Sequence, residues 1–327
     1  MRPRREAKLG VAVLVAATLM GSAAARATDD YPSKAITIVN LYAAGGGLDI
    51  VARAIAQKLS EKWKVPVIVE NRPGAGGTIA AGYVARQPAD GYTFFVTDVS
   101  YSIVPSLYAK LSYDPLKDLQ PVVLLNTVTQ TFTISPRLGV HSIKRLVELA
   151  RKEPGKLSYA SAGTGSLPHI GAEMFKSRTN TKIEQVPYRG SVAAFTDVMA
   201  GRVDMYVGAL ATPLPFIQKG KLRAIAVMQA HRSPLVPEVP SIVEEGYPDL
   251  DFAAYYGVLA PAGVPKPLLD KFVAAVQEAL KTPEMKTMMD QLGNEIVGDG
   301  PEKFSAFLEK SMETWRRGVE SAGSSPM

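Results

Sequence analysis

Chemistry has few places to sit in this chain. Among its 327 residues there is no cysteine, which excludes disulfides, thiol catalysis and cysteine-bound metal together. The three histidines, His141, His169 and His231, are too scattered for a metal motif. Ser166 and His169 lie three apart at a helix start, a spacing that lets a nucleophile touch a base. Yet Gly163-Thr-Gly-Ser-Leu167 is not the Gly-x-Ser-x-Gly elbow, and no third member is evident. No glycine turn continues into the Gly-Lys-Ser/Thr of a phosphate loop, and none supplies Gly-x-Gly-x-x-Gly after a strand. The residues therefore predict no catalysis, no cofactor and no metal.

What remains is two turns suited to binding. The first is Asn40-Leu-Tyr-Ala-Ala-Gly-Gly-Gly-Leu-Asp49, after the β-branched run Ala35–Val39. Leu48, Val51, Ala52, Ile55 and Leu59 then recur at helical spacing, with Asp49, Arg53, Gln57 and Lys58 on the other face. Three glycines thus sit where a strand becomes a helix. Free N–H groups and the helix dipole favour an anion there, although the same glycines also suit a tight turn with no ligand. The second turn, Ser161-Ala-Gly-Thr-Gly-Ser166, joins a strand at Leu157–Ala160 to a helix at Leu167–Arg178, and its three hydroxyls add donors. Two such turns could close on one ligand from opposite sides.

The surrounding elements read as strand, turn, helix, repeated. Strands at Val65–Val69 and Tyr92–Val96 and a helix at Ile79–Arg86 complete the first βαβ units, and Leu111–Pro121 reads as loop. Further strands fall at Val122–Leu125, Phe132–Ile134, Ile183–Pro187, Val203–Val207, Leu222–Met228 and Phe252–Leu259, with helices at Ile143–Lys152 and Val192–Ala200. After Pro265 the chain reads as helices at Lys266–Lys281, Glu284–Leu292 and Glu302–Ser321. Ligands in such sheets bind at the carboxyl ends of strands, where Tyr42–Gly47 and Thr97–Ser100 both fall. Asp98 and Ser100 are candidates for reading a ligand's far end, or are loop residues. Arg189 suits a distal carboxylate or an exposed ion pair. Tyr42, Tyr101, Tyr188 and Tyr255 line an aromatic pocket or simply pack.

The amino terminus reads as a secretory leader. Arg2, Arg4, Arg5 and Lys8 precede an apolar run from Leu9 to Met20 and an Ala-x-Ala ending, which predicts cleavage after Ala27, with Ala25 as a second register. Residues 1–27 carry a net +4 of the formal +6, leaving +2 on the mature chain. No basic cluster interleaved with aromatics remains, which argues against nucleic acid as a partner.

Several motifs together resemble one family. They are Tyr42–Arg53 (Tyr-Ala-Ala-Gly-Gly-Gly-Leu-Asp-Ile-Val-Ala-Arg), Val69–Gly77, Ala89–Thr93, Tyr159–Ser166, Val186–Ser191, Gly201–Met205 and Tyr256–Pro265. In that order they are similar to the Bug or TctC-type extracytoplasmic solute receptors of tripartite tricarboxylate transport. The resemblance implies a two-lobed α/β periplasmic-binding-protein fold. Each lobe would be a mixed, mostly parallel sheet flanked by helices, with two crossing strands as hinge. It implies a signal peptide at 1–27, a first lobe at 28–128 joined by 253–327, and a second lobe at 129–252.

The resemblance further implies a monomeric periplasmic protein that closes on a small organic carboxylate and presents it to a membrane permease. Di- and tricarboxylates, aromatic acids and acidic amino acids all remain open as ligands. A receptor feeding a two-component sensor is the alternative within binding, and a serine hydrolase using Ser166 and His169 is the alternative outside it. Carried over residue by residue, the family's ligand turns fall on Tyr42, Ala44, Gly45, Gly46 and Asp49 in one lobe. In the other they fall on Ser161, Gly163, Thr164, Gly165 and Ser166. Asn40 and Ala44 stand where the family usually has proline, which frees an N–H at Ala44.

Overall fold

The computed structural model describes residues 31–161, 166–188, 191–252 and 254–321. The predicted leader at 1–27 lies outside them, as do Gly163, Thr164, Gly165 and Arg189. The first part of the chain runs β1 (Ile36–Asn40), α1 (Gly47–Trp63), β2 (Val67–Asn71), α2 (Thr78–Val84), β3 (Thr93–Asp98), α3 (Ser100–Leu107) and β4 (Leu119–Val128). The middle part runs β5 (Gln130–Ile134), α4 (Ile143–Lys152), β6 (Ser158–Ser161), α5 (Leu167–Thr179), β7 (Glu184–Pro187), α6 (Ser191–Ala200), β8 (Met205–Ala209), α7 (Leu214–Gln218) and β9 (Arg223–Val227). The chain ends with β10 (Ala254–Pro261), α8 (Lys266–Leu280), α9 (Pro283–Gln291), β11 (Asn294–Asp299) and α10 (Pro301–Ser321).

These strands form two sheets. The first has the order β11-β4-β10-β3-β1-β2 and the second β7-β6-β8-β5-β9. Parallel pairing is confined to β1, β2 and β3 in the first sheet and to β6, β7 and β8 in the second. The antiparallel partners are the strands that carry the chain between sheets, β4, β5 and β10, together with β9 and β11. Only Thr129 separates β4 in one sheet from β5 in the other, and β10 brings the chain back. The architecture is therefore two α/β lobes joined by crossing strands.

Burial explains the elements. In α1 the buried residues include Leu48, Val51, Ala52, Ile55 and Leu59, the periodic stripe seen in the sequence. Asp49 departs from that pattern: it is 2% exposed rather than on the solvent face. Helix α3 is unannounced in the sequence: Ser100, a ligand-reading or loop candidate, opens a helix instead. Ile103, Val104 and Leu107 bury that helix even though Pro105 lies inside it, so packing outweighs the lost backbone donor. Strand β11 fills the gap between the expected helices ending at Leu292 and starting at Glu302, an element the sequence does not announce. It is an edge strand with mostly half-exposed residues that give little alternation to read.

The core is continuous across the hinge. Phe94 on β3 stacks on Phe272 of α8 at 3.7 Å between ring centroids. On the other side, Phe132 on β5 packs on Phe175 of α5 at 4.7 Å. Helix α10 links the two: Trp315 lies 5.1 Å from Phe252, and a Cβ at Gly318 would come 2.7 Å from Met174 Sδ on α5. Among the described residues, no helix is long and apolar enough to cross a membrane.

Candidate functional site

The first turn is built on a buried carboxylate. Asp49 sits at the third position of α1, and its side chain folds back beneath the turn that precedes the helix. Its Oδ2 accepts from the Gly45 amide at 3.0 Å and from Arg53 Nε at 2.8 Å. Its Oδ1 accepts from Asn71 Nδ2 at 2.8 Å, Arg53 at 3.1 Å and Asn40 Nδ2 at 3.2 Å. Burial alone would raise this carboxyl, but the hydrogen bonds from Arg53, Asn71 and Gly45 outweigh it and bring it down to about 2. Asp49 is thus occupied by the protein, and its role is to hold the turn in place.

The two asparagines complete that support. Asn40 and Asn71 end neighbouring parallel strands, paired in register. Asn71 Nδ2 also donates to the Tyr42 carbonyl at 2.8 Å, and Asn40 Oδ1 accepts the Tyr42 amide at 3.1 Å. Asn40, one of the two departures from the family pattern, therefore stitches the turn where a proline could not. Gly45, at φ +95°, takes the left-handed bend that a side chain would strain. Gly46 caps α1 with no side-chain bond, so Tyr42 to Gly46 stay exposed at the strand ends above the first amides of the helix.

A second cluster stands beside the turn, at the end of β3. The Tyr42 hydroxyl donates to Asp98 Oδ2 at 2.9 Å and lies 2.9 Å from Ser100 Oγ. The Ser100 amide donates to Asp98 Oδ1, also at 2.9 Å. Here burial raises the Asp98 carboxyl, and the Ser100 amide and Tyr42 hydroxyl offset it only in part. Tyr42, Asp98 and Ser100 are thereby brought together by the fold, although they are far apart in sequence.

The remaining candidates divide. Ser161 ends β6 fully buried, and its Oγ accepts from Gln185 at 2.9 Å. Ser166 starts α5, with its carbonyl taking the His169 and Ile170 amides at 3.0 Å. His169 is 8% exposed and burial lowers its pKa. Of the four tyrosines, Tyr101 and Tyr255 turn inward, to the Pro115 carbonyl at 2.6 Å and Ser102 at 2.8 Å. Tyr188 bonds Asp197 at 2.6 Å, whereas Tyr42 is 38% exposed in the cluster just described.

Arg53 and Asn71 escape the sequence reading as site residues. Asn71 carried the one available signal, a polar residue ending a strand at the carboxyl edge where ligands bind.

Fold and site together define a two-lobed solute-binding protein of the periplasmic-binding type. The profile described as "Tripartite tricarboxylate transporter family receptor" (TctC) matches residues 51–323, and the chain belongs to that family. It is similar to the "UPF0065 protein in tcbD-tcbE intergenic region" of Pseudomonas sp. (strain P51), with 34% identity over 96% of this chain and 93% of the relative. Among solved structures it resembles Rpa4515 of R. palustris with adipate, at 32% identity and TM-score 0.85, covering 91% of this chain and all of that one. It also resembles the periplasmic binding protein BugD, at 32% identity and TM-score 0.83 over the same shares. The family is one of receptors, and the protein is a binding protein rather than an enzyme; Ser166 and His169 start a helix.

Proposed function

We propose that this protein captures a small dicarboxylic acid between its lobes and delivers it to the membrane permease of a tripartite tricarboxylate-type transporter. The observation that carries the reading is the first turn. Asp49 fastens it from beneath, and its exposed backbone lies over the uncapped start of α1, an electropositive place for a carboxylate. The adipate held by the R. palustris relative supports a ligand with two carboxyl groups.

Residues 28–128 with 253–327 act as one lobe and 129–252 as the other. They hinge at Thr129 and ahead of β10, and a ligand touching both favours the closed form. The second carboxylate falls to the turn from Ser161 to Ser166, with Arg189 within the same lobe as its cation. Export by the leader at 1–27 places the protein in the periplasm, where the permease meets its ligand.

Thermal unfolding of the ligand-stripped protein against di- and tricarboxylates, aromatic acids and acidic amino acids tests this. A dicarboxylate at 100 times its dissociation constant adds about 2.7 kcal/mol and raises the midpoint. No shift with any carboxylate overturns the reading.

A further inference from the structure

Strand β10 sets Tyr256 between two polar neighbours. In the ladder Tyr256 pairs with Asp98 on β3 and with Asn126 on β4, so the three side chains share one face of the sheet. All three lie where β3 ends and β4 approaches the crossing at Thr129. Tyr255, one residue earlier, points to the other face and packs edge-on against Phe304 and Phe307 of α10.

The Tyr256 hydroxyl reaches the start of α1. A Cβ built on Gly47 would stand 2.8 Å from that oxygen, so position 47 is glycine because a phenol occupies its space. Among the described residues no hydrogen bond uses this hydroxyl, and Tyr256 is partly exposed. Asn126 is fully buried; its Nδ2 donates to the Thr127 carbonyl at 3.1 Å while its Oδ1 has no partner among the described residues. A buried amide oxygen left unpaired costs stability unless something meets it. The row therefore offers one spare donor, Tyr256, flanked by acceptors.

We propose that the Asp98–Tyr256–Asn126 row is a specificity surface. Tyr256 donates to the carboxylate seated at the α1 start, and Asp98 accepts from a hydroxyl or ammonium group on the adjacent carbon. This rests on the carboxylate-binding reading above and adds a reason for selectivity. A row carrying a carboxylate and an amide oxygen repels a second carboxylate and rewards a donor. Asn126 Oδ1 takes a water or the far proton of that donor.

The test is titration calorimetry with matched acids, succinate against malate and adipate against 2-hydroxyadipate. The unaltered protein binds the hydroxylated member of a pair about tenfold tighter, the worth of one added hydrogen bond. Asp98→Asn brings that ratio close to one. Tyr256→Phe weakens both members by about tenfold and leaves the ratio standing. Its ligand-free unfolding midpoint stays in place, which separates a lost contact from a lost fold.

Equal affinities for Tyr256→Phe and the unaltered protein overturn the proposal, as does an unchanged ratio in Asp98→Asn. If Tyr256→Phe fails to fold, the Asp98→Asn ratio decides alone, because a folding defect lowers both affinities together. An unaltered protein that binds no carboxylate at all overturns the functional reading with it. Binding that ignores both substitutions removes only this inference.

Discussion

Asp49 and Asp98 are the same residue in two regions of one lobe, and the protein drives them in opposite directions. Asp49 lies under the first turn, where Arg53, two asparagines and a backbone amide surround it and lower its pKa to about 2. Asp98 lies at the end of β3, where burial comes with neutral donors alone, chiefly the Ser100 amide, the Tyr42 phenol and the Ser100 hydroxyl, and its pKa rises. A carboxylate given a cation becomes scaffold, because its charge is already answered. One given only neutral donors keeps a demand for another partner. The difference separates the part of the site that is built from the part that waits for ligand.

The sharpest way to break this contrast is Asp49→Ala. It strands Asn71, Asn40 and the Gly45 amide at once, and the expected loss is about 2–3 kcal/mol of stability by denaturant unfolding. The pH dependence follows from the lowered pKa. The Asp49 contribution is complete above about pH 4, the unfolded value, and disappears as the pH falls toward 2. Stability curves of the two proteins should therefore converge across that window. Curves that stay parallel would mean Asp49 is not the fastening.

Gly47→Ala sharpens the other side. The new methyl meets the Tyr256 hydroxyl, the free end of a side chain, so the ring shifts at a stability cost of about 1 kcal/mol. Ligand affinity should drop more than stability does. An affinity that tracks stability alone would place Tyr256 outside the site.

The smallest effect has the opposite sign. Asp98→Asn keeps one acceptor oxygen for the Ser100 amide, lets the Tyr42 hydroxyl turn its proton to Ser100 Oγ, and removes a charge that burial disfavours, so the ligand-free protein gains up to about 1 kcal/mol. With its pKa raised in the folded state, Asp98 costs stability as the pH climbs through the carboxyl range. The gain should therefore appear at neutral pH and fade on acidification. A loss at neutral pH would show that Asp98 is scaffold like Asp49.

Much of the fold was legible. The short continuous apolar runs at Ile36–Val39 and Phe94–Val96 and the helical stripe from Leu48 to Leu59 each carry their own signal. A strand buried on both faces is apolar throughout, and a helix buried on one face repeats its apolar residues every turn. Helix α3 was illegible because Pro105 argues against a helix that only its buried neighbours enforce. Strand β11 was illegible because an edge strand need not alternate. The site was half legible. Glycines at a strand-to-helix junction announce an open backbone locally, so Tyr42, Gly45 and Gly46 could be named without a structure.

Charge partners are different, since what surrounds a carboxylate depends on residues that the chain brings from elsewhere. Asp49 looked like a ligand residue on the polar face of a helix, and only Asn71 arriving on β2 beside Asn40 turns it into support. Tyr256 looked like one more aromatic in a hinge strand. Its register against Asp98 and Asn126, and the missing Cβ at Gly47 that admits its hydroxyl, exist only once β3, β4, β10 and α1 have packed. By itself the sequence determined the two βα turns, the absence of thiol chemistry and the family, because these rest on local backbone chemistry and residue type. Which polar groups are already paired, and which still face the cleft, was decided by tertiary structure, because hydrogen-bond partners come from strands far apart in the chain.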